Sequence, residues 1–176
     1  MVLIIILAAV ILIADQLTKL FSVGFFVEKG EMLYTGALEN VGDSVDLIPK
    51  VFSFTYVLND GAAFGILKNQ RLFFLITTLI VCGVGIFFLV RMPKKHIVLK
   101  LASGFILGGA IGNLVDRVVI GVVRDFLEAT FIETVTGYSF PVFNVADIFV
   151  VVGVILLAWY ILFIHDKIYP PKDKKK

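Results

Sequence analysis

The stretch Val98-Leu99-Lys100-Leu101-Ala102-Ser103-Gly104-Phe105-Ile106-Leu107-Gly108-Gly109-Ala110-Ile111-Gly112-Asn113-Leu114-Val115-Asp116-Arg117-Val118-Val119-Ile120 decides the fold. A bilayer core is crossed by about 20 apolar residues in a helix, and this run supplies them. Gly104, Gly108 and Gly112 recur every four residues, as do Gly109 and Asn113. Small residues at that spacing let helices approach closely inside a membrane. The polar residues Asn113, Asp116 and Arg117 share one face and crowd toward one end.

Three further stretches have the same character: Val2–Leu20, Leu72–Val90 and Val145–Ile164. The whole chain agrees with them. Of its 176 residues 59% are hydrophobic and 17% charged, and the mean hydropathy is +0.99; a soluble domain is nearer a quarter charged. The first stretch lacks a charged leader and a small-residue cleavage site and runs on into Asp15-Gln16-Leu17-Thr18-Lys19, so it reads as a retained helix. The expected fold is therefore a membrane all-α protein with a small β component: a bundle of four transmembrane helices, forming a single domain over residues 1–176.

Lys and Arg set the orientation. Arg91, Lys94, Lys95 and Lys100, with Lys167, Lys172, Lys174, Lys175 and Lys176, make 9 of the 16 basic residues and fall on one side. That side is expected to be cytoplasmic, with both termini inside and the basic tail near anionic lipid. Residues 21–70 and 121–144 are then extracytoplasmic. Within the first, Val51–Leu58 is rich in β-branched and aromatic residues and precedes Asn59-Asp60-Gly61, a turn signal. It predicts a strand in a small antiparallel sheet on the outer membrane surface. A net charge of +2 gives no reason to expect nucleic acid, and the single Cys82, in an apolar run, excludes an internal disulfide framework.

Ionisable groups inside spans are costly and face a bundle interior or a water-filled cavity. Under this topology Asp15, Lys19, Asn59, Asn113, Asp116, Arg117, Asp125, Asn144 and Asp147 all come to the outer layer. Several have structural readings. Asp15 and Lys19, at i and i+4, suit an ion pair locking helix ends. Asp116 and Arg117 suit an interfacial anchor as well as a site lining, and Asn59 suits a turn. Phe140, Pro141 and Phe143 suit a seat at the interface. His96 and His165 fall on the cytoplasmic side, which removes Ser-His-Asp chemistry and a histidine-ligated zinc. Lys19 has no serine at an obvious matching depth, which leaves a Ser–Lys dyad weakly supported. What remains is carboxylates. Two aspartates held close together share one proton, so one activates water while the other donates to a carbonyl. Asp125 and Asp147 form the candidate pair, with Asn113 and Asn144 orienting them or the substrate. Rival readings are a proton-coupled carrier, which calls for ionisable groups on both membrane faces, and an assembly factor acting through its glycine faces.

These motifs resemble bacterial lipoprotein signal peptidase, the signal peptidase II family, over nearly the whole chain and in family order. Asp15-Gln16-Leu17-Thr18-Lys19 looks like D-Q-x-T-K; Asn59-Asp60-Gly61-Ala62-Ala63-Phe64 is similar to N-x-G-x-A-F; Gly108–Arg117 matches G-G-A-x-G-N-x-x-D-R; Val123-Arg124-Asp125-Phe126 is close to V-x-D-F; and Phe140–Asp147 matches F-P-x-F-N-x-A-D. The resemblance implies an aspartyl endopeptidase of the bacterial cytoplasmic membrane, working near its outer face on diacylglyceryl-modified prolipoproteins and cutting just before the lipidated cysteine. It implies Asp125 and Asp147 as catalytic, and Asn59, Asn113, Arg117 and Asn144 as contacts for substrate or the peptide antibiotic globomycin. Asp15, Lys19, Gly61, Gly108, Gly112 and Asp116 become supports. Neither metal nor cofactor is implied; the partners are the lipidated precursor and membrane lipid. Two features depart from the family pattern. Arg124 stands where an apolar residue is common, set either to approach Asp125 or to face lipid head groups. The Phe21–Leu47 connection is long and acidic.

Overall fold

The computed structural model describes residues 1–28, 41–61, 70–91 and 96–165. Of the stretches on which the orientation rests, the tail from residue 166 onward and residues 92–95 of the Arg91–Lys100 loop lie outside the described residues, as does Ala62-Ala63-Phe64. Helix α1 spans Val2–Glu28, β1 Val41–Ile48, β2 Phe52–Asn59, α2 Arg71–Arg91, α3 Ile97–Val119, β3 Val123–Glu128, α4 Thr130–Thr136 and α5 Val145–Tyr160, which ends in a π-helical turn at Ile161–His165. Among the described residues three helices are long and apolar enough to cross a membrane: Val2–Phe26, Ile97–Val119 and Val145–Ile164. Helix α2 falls where the fourth span is expected, and its described apolar part, Leu72–Phe87, is shorter than the other three.

Helix α3 is the axis of the bundle, and its glycines are the reason. A Cβ at Gly108 would lie 2.8 Å from Ile11 Cβ and 3.0 Å from the backbone of Ala8, and one at Gly104 would lie 2.9 Å from Leu7 Cβ. On the adjacent face Gly109 meets the Ala146 carbonyl and Val150 of α5, and Gly153 of α5 answers with Ala102 and Ile106. Such backbone-to-backbone approach suits an environment where packing, not the hydrophobic effect, holds helices together. Helices α1, α2 and α5 turn Ile5, Val10, Ile13, Leu79, Val151 and Ile155 outward, each roughly half exposed or more.

Helix α1 corrects the first expected boundary. It does not stop at Leu20 but continues to Glu28, because residues 21–28 contain no proline and carry aromatic residues that find partners beyond the bundle. Phe26 is fully buried and stacks on Phe54 with ring centroids 5.3 Å apart. Phe25 meets Phe54 edge-on at 5.2 Å, and Phe126 closes the cluster. The first residues expected to be a connection are thus a pillar under the sheet.

The sheet is antiparallel in the order β1-β2-β3. The predicted strand over Val51–Leu58 is β2, shifted by one residue, and β1 lies in the long acidic connection. In β2–β3 pairing Val57 faces Asp125 and Asn59 faces Val123. Helix α4 in the 121–144 connection was not foreseen. The chain leaves α3 through Gly121, whose φ of 98° is left-handed and whose N–H bonds the Asp116 carbonyl at 3.1 Å; a side chain there is strained. This tight exit starts β3 only four residues after α3 ends.

The β1–β2 turn has Pro49 and Lys50 at its centre, closed by Val51 N–H to the Ile48 carbonyl at 2.9 Å. Lys50 sits at φ 63°, where an L-residue is strained and glycine is not. Lys50→Gly is therefore expected to stabilise the protein by up to about 1 kcal/mol. An unchanged or lower melting temperature in detergent would count against strain at this turn.

Candidate active site

Five pieces of chain converge around the C-terminal halves of α1 and α3: Asp15–Lys19, Asn59–Gly61, Asn113–Arg117, Val123–Asp125 and Asn144–Asp147. The Leu127–Phe143 bridge explains how the last two meet. Phe126 and Leu127 N–H groups donate to the Phe143 carbonyl at 3.0 and 2.8 Å, and Phe143 N–H returns to Leu127 at 2.9 Å. The segment before α5 thus runs alongside β3 and delivers Asn144 to Asp125.

Asn144 caps α5. Its Oδ1 accepts from Asp147 N–H at 3.0 Å, while its own N–H donates to Asp147 Oδ2 at 3.1 Å, a reciprocal capping box. Its Nδ2 donates to Asp125 Oδ1 at 2.6 Å and to Asn113 Oδ1 at 3.0 Å. One asparagine therefore touches both candidate acids, one through its backbone and one through its side chain.

Amide orientation usually has to be inferred from the bonding network, and here the network leaves little choice. Gly61 N–H donates to Asn59 Oδ1 at 3.0 Å, so Asn59 Nδ2 faces Asp125 Oδ2 at 2.9 Å. The Lys19 ammonium donates to Asn113 Oδ1 at 3.0 Å, so Asn113 Nδ2 faces Asp147 Oδ1 at 2.7 Å. Asp147 N–H does the same for Asn144. In each case a group that can only donate holds the amide oxygen and leaves the NH2 for a carboxyl oxygen. Three amide NH2 groups are aimed at two carboxyl groups.

Beneath them lies a charged layer. Lys19, fully buried, spends its three hydrogens on Asp15 Oδ2 at 2.8 Å, Asn113 Oδ1 and Asp116 Oδ2 at 3.3 Å. No serine hydroxyl bonds its ammonium among the described residues. Ser53 instead donates to Asp46 at 2.9 Å and Ser103 to the Leu99 carbonyl at 2.8 Å, so the Ser–Lys alternative has no geometric support. Asp15 also reaches across to α5, accepting from Ala146 N–H at 3.0 Å. Gly112 makes room for it: a Cβ there would lie 2.6 Å from Asp15 Oδ2. Gly108, by contrast, acts through helix packing alone. Arg117 stacks over Phe74 with Cζ 4.9 Å from the ring centroid, tying α3 to α2.

Arg124 takes neither of its two expected positions. Its guanidinium turns away from Asp125 and from the surface and grips Asp116, with Nη2 to Oδ1 at 2.6 Å and Nε to Oδ2 at 3.2 Å. Gln16, in a motif but unassigned in the sequence, is its second partner: Arg124 Nη2 donates to Gln16 Oε1 at 3.0 Å. Gln16 Nε2 is directed at Asp15, the Gly112 carbonyl and Asp116, at 3.1, 3.1 and 3.2 Å. The available signal was an amide inside an apolar helix, which needs internal partners.

Asp125 is only 2% exposed. Burial pushes its carboxyl group up to about 7, helped by the Asp147 charge and opposed by the bonds from Asn59 and Asn144. A buried acid pushed up to about 7 beside a second carboxyl group suits acid–base work on a polar bond.

Comparison with known proteins follows the same lines. The sequence profile of the family described as Signal peptidase (SPase) II matches residues 7–163. A lipoprotein signal peptidase of Brevibacillus brevis is 43% identical over 152 residues, covering 86% of this chain and 89% of that protein. That of Symbiobacterium thermophilum is 38% identical over 164 residues, covering 93% and 96%. Two solved bacterial membrane enzymes superpose with TM-scores of 0.74 and 0.71, at 31% and 32% identity. They cover 98% and 92% of this chain, and 94% and 93% of their own chains.

Asn144→Ala is expected to lose about 1 kcal/mol from the α5 cap alone, and Asn144→Ser, which caps without an amide, to regain that part. Coincident melting curves for the two variants in detergent would refute the capping role.

Proposed function

Because the chain belongs to the signal peptidase II family of aspartic peptidases, we propose that Asp125 and Asp147 are its catalytic pair and that Asn59, Asn113, Arg117 and Asn144 line the substrate cleft. The protein is an integral membrane endopeptidase that removes signal peptides from prolipoproteins. The observation that carries the residue assignment is the set of three amides, each turned by a fixed donor so that its NH2 meets Asp125 or Asp147. Asp15, Lys19, Gly61, Gly112 and Asp116 support those amides and acids, Gly108 serves the packing of α1 on α3, and residues 1–176 act as one domain.

The reaction follows from the shared proton. In the proposed cycle Asp125, whose carboxyl group burial pushes up to about 7, carries the shared proton, and Asp147 serves as the base. Asp147 takes a proton from water as the water oxygen bonds to the scissile carbonyl carbon. Asp125 gives its proton to the carbonyl oxygen, forming a neutral gem-diol. Asp147 then protonates the leaving amine as the C–N bond breaks, and Asp125 recovers a proton as the new carboxyl group forms. Exclusion of water strengthens each of these interactions.

The scissile bond precedes a cysteine carrying diacylglycerol. That cysteine lies at the membrane surface, at the depth where α3 ends and α5 begins. Excess Lys and Arg in the Arg91–Lys100 loop and the tail support cytoplasmic termini, a bacterial inner-membrane location and a site near the outer face. Bilayer lipid flanks the exposed apolar sides of the helices, and globomycin is expected to compete for the cleft.

Single Asp125→Asn and Asp147→Asn variants are expected to lose at least ~10²-fold in cleavage of a lipidated precursor while keeping wild-type melting behaviour. Ser53→Ala and Ser103→Ala should cleave normally. Full activity in either Asn variant removes that residue from the pair, and strong loss in a serine variant revives nucleophilic catalysis. The pH profile is a separate check. Asp125 must carry its proton, so kcat/KM should be maintained below pH 7 on this side of the profile and fall about tenfold per unit well above it. A profile flat from pH 6 to 9 would contradict Asp125 as the acid.

A further inference from the structure

Arg124 is buried to 7% exposure beside Asp125, yet its guanidinium bonds go to Asp116 and Gln16 and not to Asp125. Neighbouring residues of a strand point to opposite faces, so Asp125 faces Asn59 and Asn144 while Arg124 faces α1 and α3. There it makes three bonds to one carboxylate. Besides Nε and Nη2, its own backbone N–H donates to Asp116 Oδ2 at 3.0 Å. Main chain and guanidinium therefore close around Asp116, which is fully buried on α3. A fork matched to a carboxylate fixes angle as well as distance. The Arg124 carbonyl also lies 3.4 Å from Asn144 Nδ2, so the residue is held from both sides of the strand.

Asp116 lies one helical turn from Asn113, and Asn113 holds Asp147. A continuous rigid path runs from Asp125 through Arg124, Asp116 and α3 to Asn113 and Asp147. We propose that Arg124 is a positioning residue for peptide cleavage: by clamping Asp116 it fixes β3 against α3 and sets where Asp125 stands relative to Asp147. This rests on the reading of Asp125 and Asp147 as the catalytic pair. Arg124 also balances charge. Asp15 and Asp116 are matched by Lys19 and Arg124, giving a neutral layer below the pair. Without Arg124 that layer carries one uncompensated negative charge. The groups facing or acting on Asp125 are Lys19 from α1, Asn59 from β2, Arg117 from α3, and Asn144 and Asp147 at the start of α5. An added negative charge beneath them favours the protonated acid.

The test uses the full-length protein in detergent or lipid with a lipidated precursor peptide, rates being normalised to folded enzyme. Arg124→Met is expected to lower kcat roughly tenfold or more, since small misplacement of a reacting group is costly, to leave KM within about threefold, and to move the alkaline limb of the kcat profile to higher pH. A kcat within twofold of wild type, or an unmoved limb, overturns the proposal, because a purely structural arginine changes the folded fraction and not the profile. Should Arg124→Met fail to fold, Arg124→Lys decides. It keeps the charge and loses the fork, so it should show a several-fold lower kcat with the limb in place. Wild-type kcat in that variant overturns the clamp. Asp125→Asn in the same assay separates the premises: activity there defeats the catalytic pair, whereas inactivity with a silent Arg124→Met defeats the clamp alone.

Discussion

A buried lysine is the constraint around which the site is organised. Lys19 is enclosed at a depth where an ammonium without partners is untenable, and it is matched by Asp15 on its own helix and Asp116 on α3. Its third hydrogen goes to Asn113, which turns that amide toward Asp147. The ion cluster therefore does more than fasten α1 to α3. Asp15 bonds the first turn of α5, and Asp116 bonds the start of β3. Four elements take their relative positions from one set of charges. Removing a member leaves its partner buried and uncompensated, an effect of about 3–5 kcal/mol for a buried pair.

The cluster depends in turn on the glycines of α3. Charged groups with short reach meet only if helix axes are close, and Gly104, Gly108 and Gly112 let α1 approach to backbone contact. Gly112 sits directly against Asp15, so packing and electrostatics come together at one residue. Membrane helices gain little from apolar burial against one another, and close contact with buried polar pairing takes its place.

Much of this was legible in the sequence. The spans announce themselves by composition, because lipid permits little else at that length. The convergence of the polar residues on one layer follows from the alternating direction of the spans plus the position of each residue along its span. Three things were not legible. The end of α1 was missed because hydropathy marks the membrane, not the helix, and Phe26 belongs to a sheet core formed with Phe54 and Tyr56. Arg124 was left between two positions because alternation along a strand says where a side chain does not point, and Asp116 is eight residues away in sequence. The threefold role of Gln16 depends on contacts near 100 residues apart, which no local pattern carries.

The two layers of the site ask for opposite electrostatics. The lower layer binds helices together and is stable because each charge is matched. On the proposed reading of Asp125 and Asp147, the upper layer must hold two acids with a single proton between them, which requires that they be under-matched. Amides resolve the conflict. An NH2 group directs a carboxyl oxygen through a hydrogen bond without bringing the full charge that would keep both acids ionised. Had Lys19 contacted Asp125 directly, its charge would favour the ionised acid. With Asn113 and Asn144 interposed, the lysine transmits orientation to the acids but much less of its field, and Asp125 stays near 7 instead of at an ordinary carboxyl value. The asparagines are thus the component that allows a neutral structural core and a proton-sharing pair to be built within a few ångströms of each other.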